Sequence, residues 1–399
     1  MTAGVYLHIP FCKSRCSYCD FATDVYRSSG AVDRYVAALS KEIDVFRVAI
    51  RSGNMNGLPA IRAQGSLANV CLSARSCVSI DTIYFGGGTP SLLSAKQVER
   101  ILASVHAVFE VSSDAEITME MNPATVTPGT LRGYKGLGIN RASFGAQTFN
   151  DRALRLLARG HDANDARETF KMLREAGFDN VSFDLIAGLP NQTLKDWGKN
   201  LAEAIKLSPE HLSLYLLEIH EGTPLAEQVR SGRQPRPDED LAAQMYEMML
   251  DELDAAGFQQ YEISNFSRPG FESRHNSKYW RLEPVFGFGV SAHSFDGCQR
   301  YSNERDTAKY IDRIEKTGSA EVTREQIDAA SEFAFLGLRT ENGIRLSEFE
   351  RRYGFDLTEK FKSELGRFKD ADLVETQDDW LRLTRKGKLF SNEVFAAFV

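Results

Sequence analysis

The chain has 399 residues, 42 % of them hydrophobic and 26 % charged, with 48 Lys and Arg against 55 Asp and Glu for a formal net charge of −7. That length exceeds one ordinary domain, and the composition excludes a disordered chain or a coiled-coil rod. The acidic balance argues against nucleic acid as a main partner, and six cysteines are too few for a disulfide scaffold.

The first apolar run, Val5–Ile9, is strand-like. It is too short for a signal h-region and has no basic n-region before it, and no stretch reaches the roughly 18 apolar residues of a membrane span. A cytoplasmic protein is therefore expected, with membrane association peripheral at most. In a reducing compartment, clustered thiols read as metal or cofactor ligands. Further short runs at 82–85, 116–120, 141–145, 181–186 and 211–217 are rich in β-branched and aromatic residues, as buried parallel strands are. Amphipathic segments at 31–49, 95–109, 151–158, 163–176 and 194–206 alternate with them. Thr193-Leu194-Lys195-Asp196 reads as a capping box, and Gly177 as a helix stop. Repeated strand–helix units predict parallel strands with right-handed crossovers, closed into a partial barrel or left as a doubly wound sheet.

Residues 51–80, rich in Gly, Ser, Asn and Ala, interrupt the alternation and read as a surface loop carrying Cys71 and Cys77. Pro235-Arg236-Pro237 marks a change of texture. A long helix is expected at 238–256, then a loop-rich aromatic stretch at 258–305. From about 320, helices followed by a small hairpin near 373–374 and 381–384 predict a winged-helix-like module. The expected division is thus 1–235, 236–320 and 321–399.

The strongest chemical signal is Cys12, Cys16 and Cys19, spaced by four and then three on a loop after the first strand. Soft thiolates select zinc or iron–sulfur clusters. No nearby fourth Cys or His completes a structural zinc site, although a distant His could close one. Three thiolates suit a cubane cluster with one open iron. Polar residues near four later strand ends add to this, because barrel and α/β sites assemble there. They lie in Gly86-Gly87-Gly88-Thr89-Pro90, Glu120-Met121-Asn122-Pro123, Ser143-Phe144-Gly145-Ala146-Gln147 and Asp184-Leu185-Ile186-Ala187-Gly188.

The block from Tyr6-Leu7-His8-Ile9-Pro10-Phe11-Cys12 through Cys19 resembles the radical S-adenosylmethionine (SAM) superfamily. Within it, the block is similar to the group holding oxygen-independent coproporphyrinogen III oxidases and HemW-type heme chaperones. The resemblance implies an α/β fold: a partial (β/α)6 barrel with a C-terminal α+β winged-helix-like module. It implies a 4Fe–4S cluster on Cys12, Cys16 and Cys19, SAM chelated at the open iron, and a low-potential electron donor. By motif, Tyr6, Tyr18, Gly87, Gly88, Thr89, Glu120, Gln147, Arg159 and Asp184 are the implied SAM contacts.

Two departures separate the subgroups. Where the oxidase branch carries a fourth cysteine this chain has Phe21, and only five residues precede Tyr6. Both match the HemW pattern, as does the HNxxYW signature in His275-Asn276-Ser277-Lys278-Tyr279-Trp280. That signature implies His275 as a heme ligand, with His293 as a weaker second. The competing reading of His275 is a buried, hydrogen-bonded histidine beside an aromatic core. The implied function is a chaperone carrying heme to apo-hemoproteins. The alternatives are coproporphyrinogen III oxidation, another radical reaction on a tetrapyrrole, or a zinc-stabilised binding module.

Overall fold

The structure, a computed structural model, describes residues 2–52 and 78–398. The expected loop at 51–80, with Cys71 and Cys77, therefore lies largely outside the described residues.

Six parallel strands form the centre: β1 (Ala3–Ile9), β2 (Ser79–Gly87), β3 (Glu110–Met121), β4 (Arg141–Gln147), β5 (Val181–Ala187) and β6 (His211–Leu216). They lie side by side in chain order. Val5, Leu7, Ile83, Phe85, Met119, Phe183 and Leu185 are almost fully buried, as strands covered on both faces require. Helices return the chain, all but α3 as predicted: α1 (Ser29–Ser52), α2 (Ala95–Val108), α3 (Pro128–Gly136), α4 (Asp151–Leu156), α5 (Ala163–Glu175) and α6 (Leu194–Leu207). In α6 the Thr193 hydroxyl accepts from the Asp196 N–H at 3.1 Å, and the Asp196 carboxylate accepts from the Thr193 N–H at 3.4 Å. Gly177 ends α5 at φ 82°. The periodicity reading assigned no helix to α3; a reciprocal Thr127–Thr130 cap and Pro128 in the first turn start it.

The stretch 258–305, expected to be loop-rich, instead extends the sheet. It supplies β7 (Gln259–Glu262), β8 (Asn265–Ser267), β9 (Val285–Phe288), β10 (His293–Phe295) and β11 (Gln299–Asn303), followed by β12 (Glu321–Gln326). These strands are too short to establish a period of two in sequence. The twelve-stranded order is β12-β11-β10-β9-β1-β2-β3-β4-β5-β6-β8-β7. β9 runs parallel to β1 with Tyr6 opposite Gly287, while β10–β12 and β7–β8 are antiparallel.

The C-terminal residues form a second core around Phe349, Leu357, Leu381, Val394 and Phe398. Helices precede a hairpin, Val374–Gln377 with Trp380–Leu383, which Ile344–Arg345 completes as a three-stranded antiparallel sheet. Arg339 bonds Glu262 at 3.2 Å and Arg385 bonds Asp251 at 2.8 Å, tying this module to the barrel side. Among the described residues no helix is long and apolar enough to cross a membrane.

Candidate functional site

The loop after β1 folds across the C-terminal ends of the parallel strands. Its short runs Phe11–Cys12 and Asp24–Val25 pair in parallel, and Ser17 is pinned by backbone bonds to Leu157 and Leu225 at 2.9 and 2.8 Å. A cavity of about 550 Å³ results. It is lined by eleven of the fourteen residues singled out in sequence: Cys12, Cys16, Cys19, Tyr6, Tyr18, Gly87, Gly88, Glu120, Gln147, Arg159 and Asp184. Thr89 stands just behind the wall, donating to Cys12 Sγ at 3.5 Å and accepting from Asn122 Nδ2 at 2.8 Å.

Burial pushes the Cys12 thiol up to about 11 and raises Cys19 as well, so loading a metal must release protons. Among the described residues no group of three or more His, Cys, Asp or Glu side chains is gathered to hold a single metal ion. A cubane asks for something different, because each thiolate binds a different iron and the sulfurs stand apart around the cluster. Three cysteines facing one cavity without converging on a point fit that requirement better than a one-ion zinc site. Arg159 supports the same reading. It donates to Asn122 Oδ1 and to the Gly145 carbonyl at 2.7 Å, and to Cys16 Sγ at 3.4 Å, while its buried Nε has no partner. An orphaned guanidinium donor beside a thiol suits an anionic ligand group.

In the same cavity Glu120 accepts from the Tyr84 hydroxyl at 2.8 Å and from the Gly87 N–H at 3.0 Å. Burial nevertheless raises its pKa to about 7, with the nearby Asp184 carboxyl adding to the rise. Asp184 is itself pushed up to about 6 by burial, against the opposing pull of the Ser213 hydroxyl and of Arg141 and Arg159. Two desolvated carboxyls can recognise ammonium, sulfonium or hydroxyl groups. Gln147 holds φ 64°, a left-handed conformation uncommon for a non-glycine residue, and its side chain folds back over Gly145.

The glycine run has a further task. A Cβ on Gly87 would come within 2.7 Å of the His8 ring, and one on Gly88 within 2.7 Å of the Pro10 carbonyl oxygen. The run thus lets β2 press against β1 and the start of the cysteine loop, besides lining the cavity. His8 was missed as part of this apparatus. Its Nε2 lies 2.9 Å from the Ala22 carbonyl, a pure acceptor, so Nε2 carries the proton and Nδ1 accepts from the Tyr6 hydroxyl at 3.1 Å. The imidazole therefore bridges β1 and the far end of the cysteine loop.

His275 does not reach the cavity. It is 1 % exposed, with Nδ1 at 2.9 Å from Thr82 Oγ1 and Nε2 at 3.3 Å from the Tyr279 hydroxyl. Its ring stacks on Tyr84 at 5.0 Å between centroids. Burial lowers its pKa to about 3, so it stays neutral. This is the buried, hydrogen-bonded histidine of the competing sequence reading. Trp280 of the same signature packs against the Arg339 guanidinium at 4.6 Å, which joins the signature to the C-terminal module. His293 is exposed on β10 and does not line the cavity either.

Comparison with known proteins shows the family. The Radical SAM superfamily profile matches residues 6–204, and the HemN C-terminal domain profile matches residues 325–390. The chain is 37 % identical to "Heme chaperone HemW" of Bacillus subtilis (strain 168), covering 99 % of both chains. It is 33 % identical to the "Radical S-adenosyl methionine domain-containing protein 1, mitochondrial" of Bos taurus, over 86 % of this chain and 74 % of that protein. Its fold matches the solved structure of coproporphyrinogen III oxidase (HemN) from Escherichia coli with a TM-score of 0.82 at 24 % identity, over 100 % of this chain and 90 % of that one. Near-complete coverage at 37 % identity decides membership: the chain belongs to the radical SAM superfamily and, within it, to the HemW family.

Proposed function

We propose that the protein is a heme chaperone that binds heme as cargo and hands it to apo-hemoprotein acceptors. Cys12, Cys16 and Cys19 hold a 4Fe–4S cluster, and Tyr6, Tyr18, Gly87, Gly88, Glu120, Gln147, Arg159 and Asp184 contact SAM, with Thr89 acting from behind through Cys12 and Asn122. When bound, cluster and SAM supply one-electron chemistry that a low-potential donor could set in motion. In the chaperone reading they stabilise a transfer-competent state rather than oxidise the porphyrin. The observation that carries this reading is Phe21, 63 % exposed on the cavity rim where the oxidase branch has its fourth cysteine. An exposed aromatic face there suits a flat apolar ligand rather than a further thiolate contact.

The chain's own residues divide the work. Arg159 places positive charge beside Cys16, and the Glu120 and Asp184 carboxyls line the same cavity, where they can orient a cationic ligand. His8, the glycine run and Thr89 fix the cysteine loop. The test is anaerobic reconstitution with iron and sulfide, then hemin titration and transfer to an apo-hemoprotein followed in the Soret region. A broad iron–sulfur absorbance, saturable heme binding and transfer are expected. Protoporphyrinogen formation from coproporphyrinogen III, SAM and reductant would overturn the proposal in favour of the oxidase reading.

A further inference from the structure

We propose that the iron of the cargo heme is ligated by His220, in a seat at the outer rim of the cavity between the barrel mouth and the C-terminal module. The assignment rests on the heme-chaperone reading and adds a site to it.

The seven histidines sort by what their ring nitrogens do. His8, His211 and His275 each have both nitrogens within hydrogen-bond range of a partner; for His211 these are Ser182 Oγ at 2.7 Å and the Tyr261 hydroxyl at 2.8 Å. His161 is 8 % exposed and lies outside the cavity wall. His106 on α2 and His293 on β10 are exposed but also lie outside that wall. His220, on the loop after β6, is the histidine that lines the cavity with the three cysteines, and its side chain is 44 % exposed. Its nearest acceptors, Asp20 Oδ2 at 3.8 Å from Nδ1 and Glu218 Oε2 at 3.7 Å from Nε2, are beyond hydrogen-bond length. One nitrogen is therefore free for a metal, and whichever is used, the other N–H has a carboxylate beside it. That arrangement orients a ligating imidazole and raises its basicity.

The surroundings match a porphyrin. Phe21, Tyr215 and Leu216 line the same rim at 63 %, 42 % and 36 % exposure, unusual for large apolar side chains and concentrated where His220 stands. They offer flat and apolar contact for a macrocycle. Arg15, on the cysteine loop, lines the rim with a guanidinium whose bond is a 3.4 Å contact to the Cys19 carbonyl, leaving donors for a carboxylate. Lys388, Ser391 and Asn392 of the C-terminal module add polar lining to the same cavity. A half-open seat of this kind also leaves one heme face and edge accessible for hand-over.

The experiment is hemin titration into the cluster-reconstituted full chain, read as affinity and Soret position, for the parent, His220→Ala, Phe21→Glu and His293→Ala. His220→Ala should weaken binding at least tenfold and move the Soret band, and imidazole added in solution should restore the band. Phe21→Glu should weaken binding without moving the band, and His293→Ala should change neither. A parent that binds hemin, with His220→Ala matching it in affinity and Soret position, overturns the assignment while leaving the chaperone reading in place. A parent that binds no hemin overturns both.

Discussion

Replacing Glu120 with Gln separates what the cavity does for ligands from what it costs the fold. The carboxyl rises from an ordinary 4.5 to about 7 on folding, chiefly by desolvation. The folded state therefore holds this proton more tightly than the unfolded one. The resulting stability is fully present below pH 4.5 and is lost as the pH climbs through about 7. At 1.36 kcal/mol per pKa unit, the ionised side chain costs the fold roughly 3 kcal/mol above neutrality. Gln keeps an acceptor for the Tyr84 hydroxyl but turns an amide toward the Gly87 N–H, which loses its partner at a cost of roughly 1–2 kcal/mol. The cofactor-free variant should thus be about 1–2 kcal/mol more stable than the parent at pH 8, and no more stable at pH 5. Thermal unfolding at the two pH values gives the readout, as a melting difference of a few degrees at pH 8 that vanishes or reverses at pH 5. Glu42, also raised to about 7 but held by Tyr310, Gly289 and Asn303, titrates equally in both proteins and drops out of the difference. An equal offset at both pH values would refute the linkage argument.

Three further outcomes follow from the same geometry. Gly88→Ala pushes a methyl into the Pro10 carbonyl and should lower iron bound per chain severalfold after reconstitution, with far-UV circular dichroism unchanged; full iron loading would remove the glycine from the loop-positioning argument. Arg159→Lys cannot reproduce the fork to Asn122, Gly145 and Cys16, so SAM affinity by calorimetry should fall about tenfold, and an equal affinity would show that charge alone suffices. His275→Ala removes a buried stacked ring and strands the Thr82 hydroxyl; it should cost about 2–4 kcal/mol in denaturant unfolding while leaving the Soret position of bound heme in place.

The barrel was legible because its strands are apolar, rich in β-branched and aromatic residues, and bracketed by capped helices. Thr193 with Asp196 and Gly177 could be read directly from residue type. The cysteines and the polar residues at strand ends were legible for a related reason: parallel strands place their C-terminal residues on one rim, so four motifs in sequence become one cavity. What stayed hidden depends on contacts between distant segments. Nothing local marks β9 as a strand, since its four residues are specified by lying beside β1. Thr89 looks like its glycine neighbours in sequence, yet its hydroxyl turns toward Cys12 and not the cavity. His275 carries a motif that implies ligation, but its two nitrogens are claimed by Thr82 and Tyr279, partners separated from it by very different stretches of chain. His220 has no motif around it; only the fold of the loop after β6 brings it to the cavity of the cysteines.

The parallel pairing of β1 with β9 has a consequence for biosynthesis. The strand that launches the cysteine loop has one lateral neighbour near residue 80 and the other at Val285–Phe288. During translation β1 therefore waits, with one edge open, until roughly three quarters of the polypeptide has left the ribosome. Tyr35 already clasps the His8 carbonyl within the first fifty residues, at 2.6 Å, but its second bond, accepting from the Val290 N–H at 3.1 Å, arrives only with the late segment. The loop that carries Cys12, Cys16 and Cys19 thus reaches its final support only after residue 290 has emerged. Nascent chains truncated before residue 288 should therefore be poor acceptors of iron and sulfide, measured as iron bound per chain, and full loading of such chains would refute the dependence on β9.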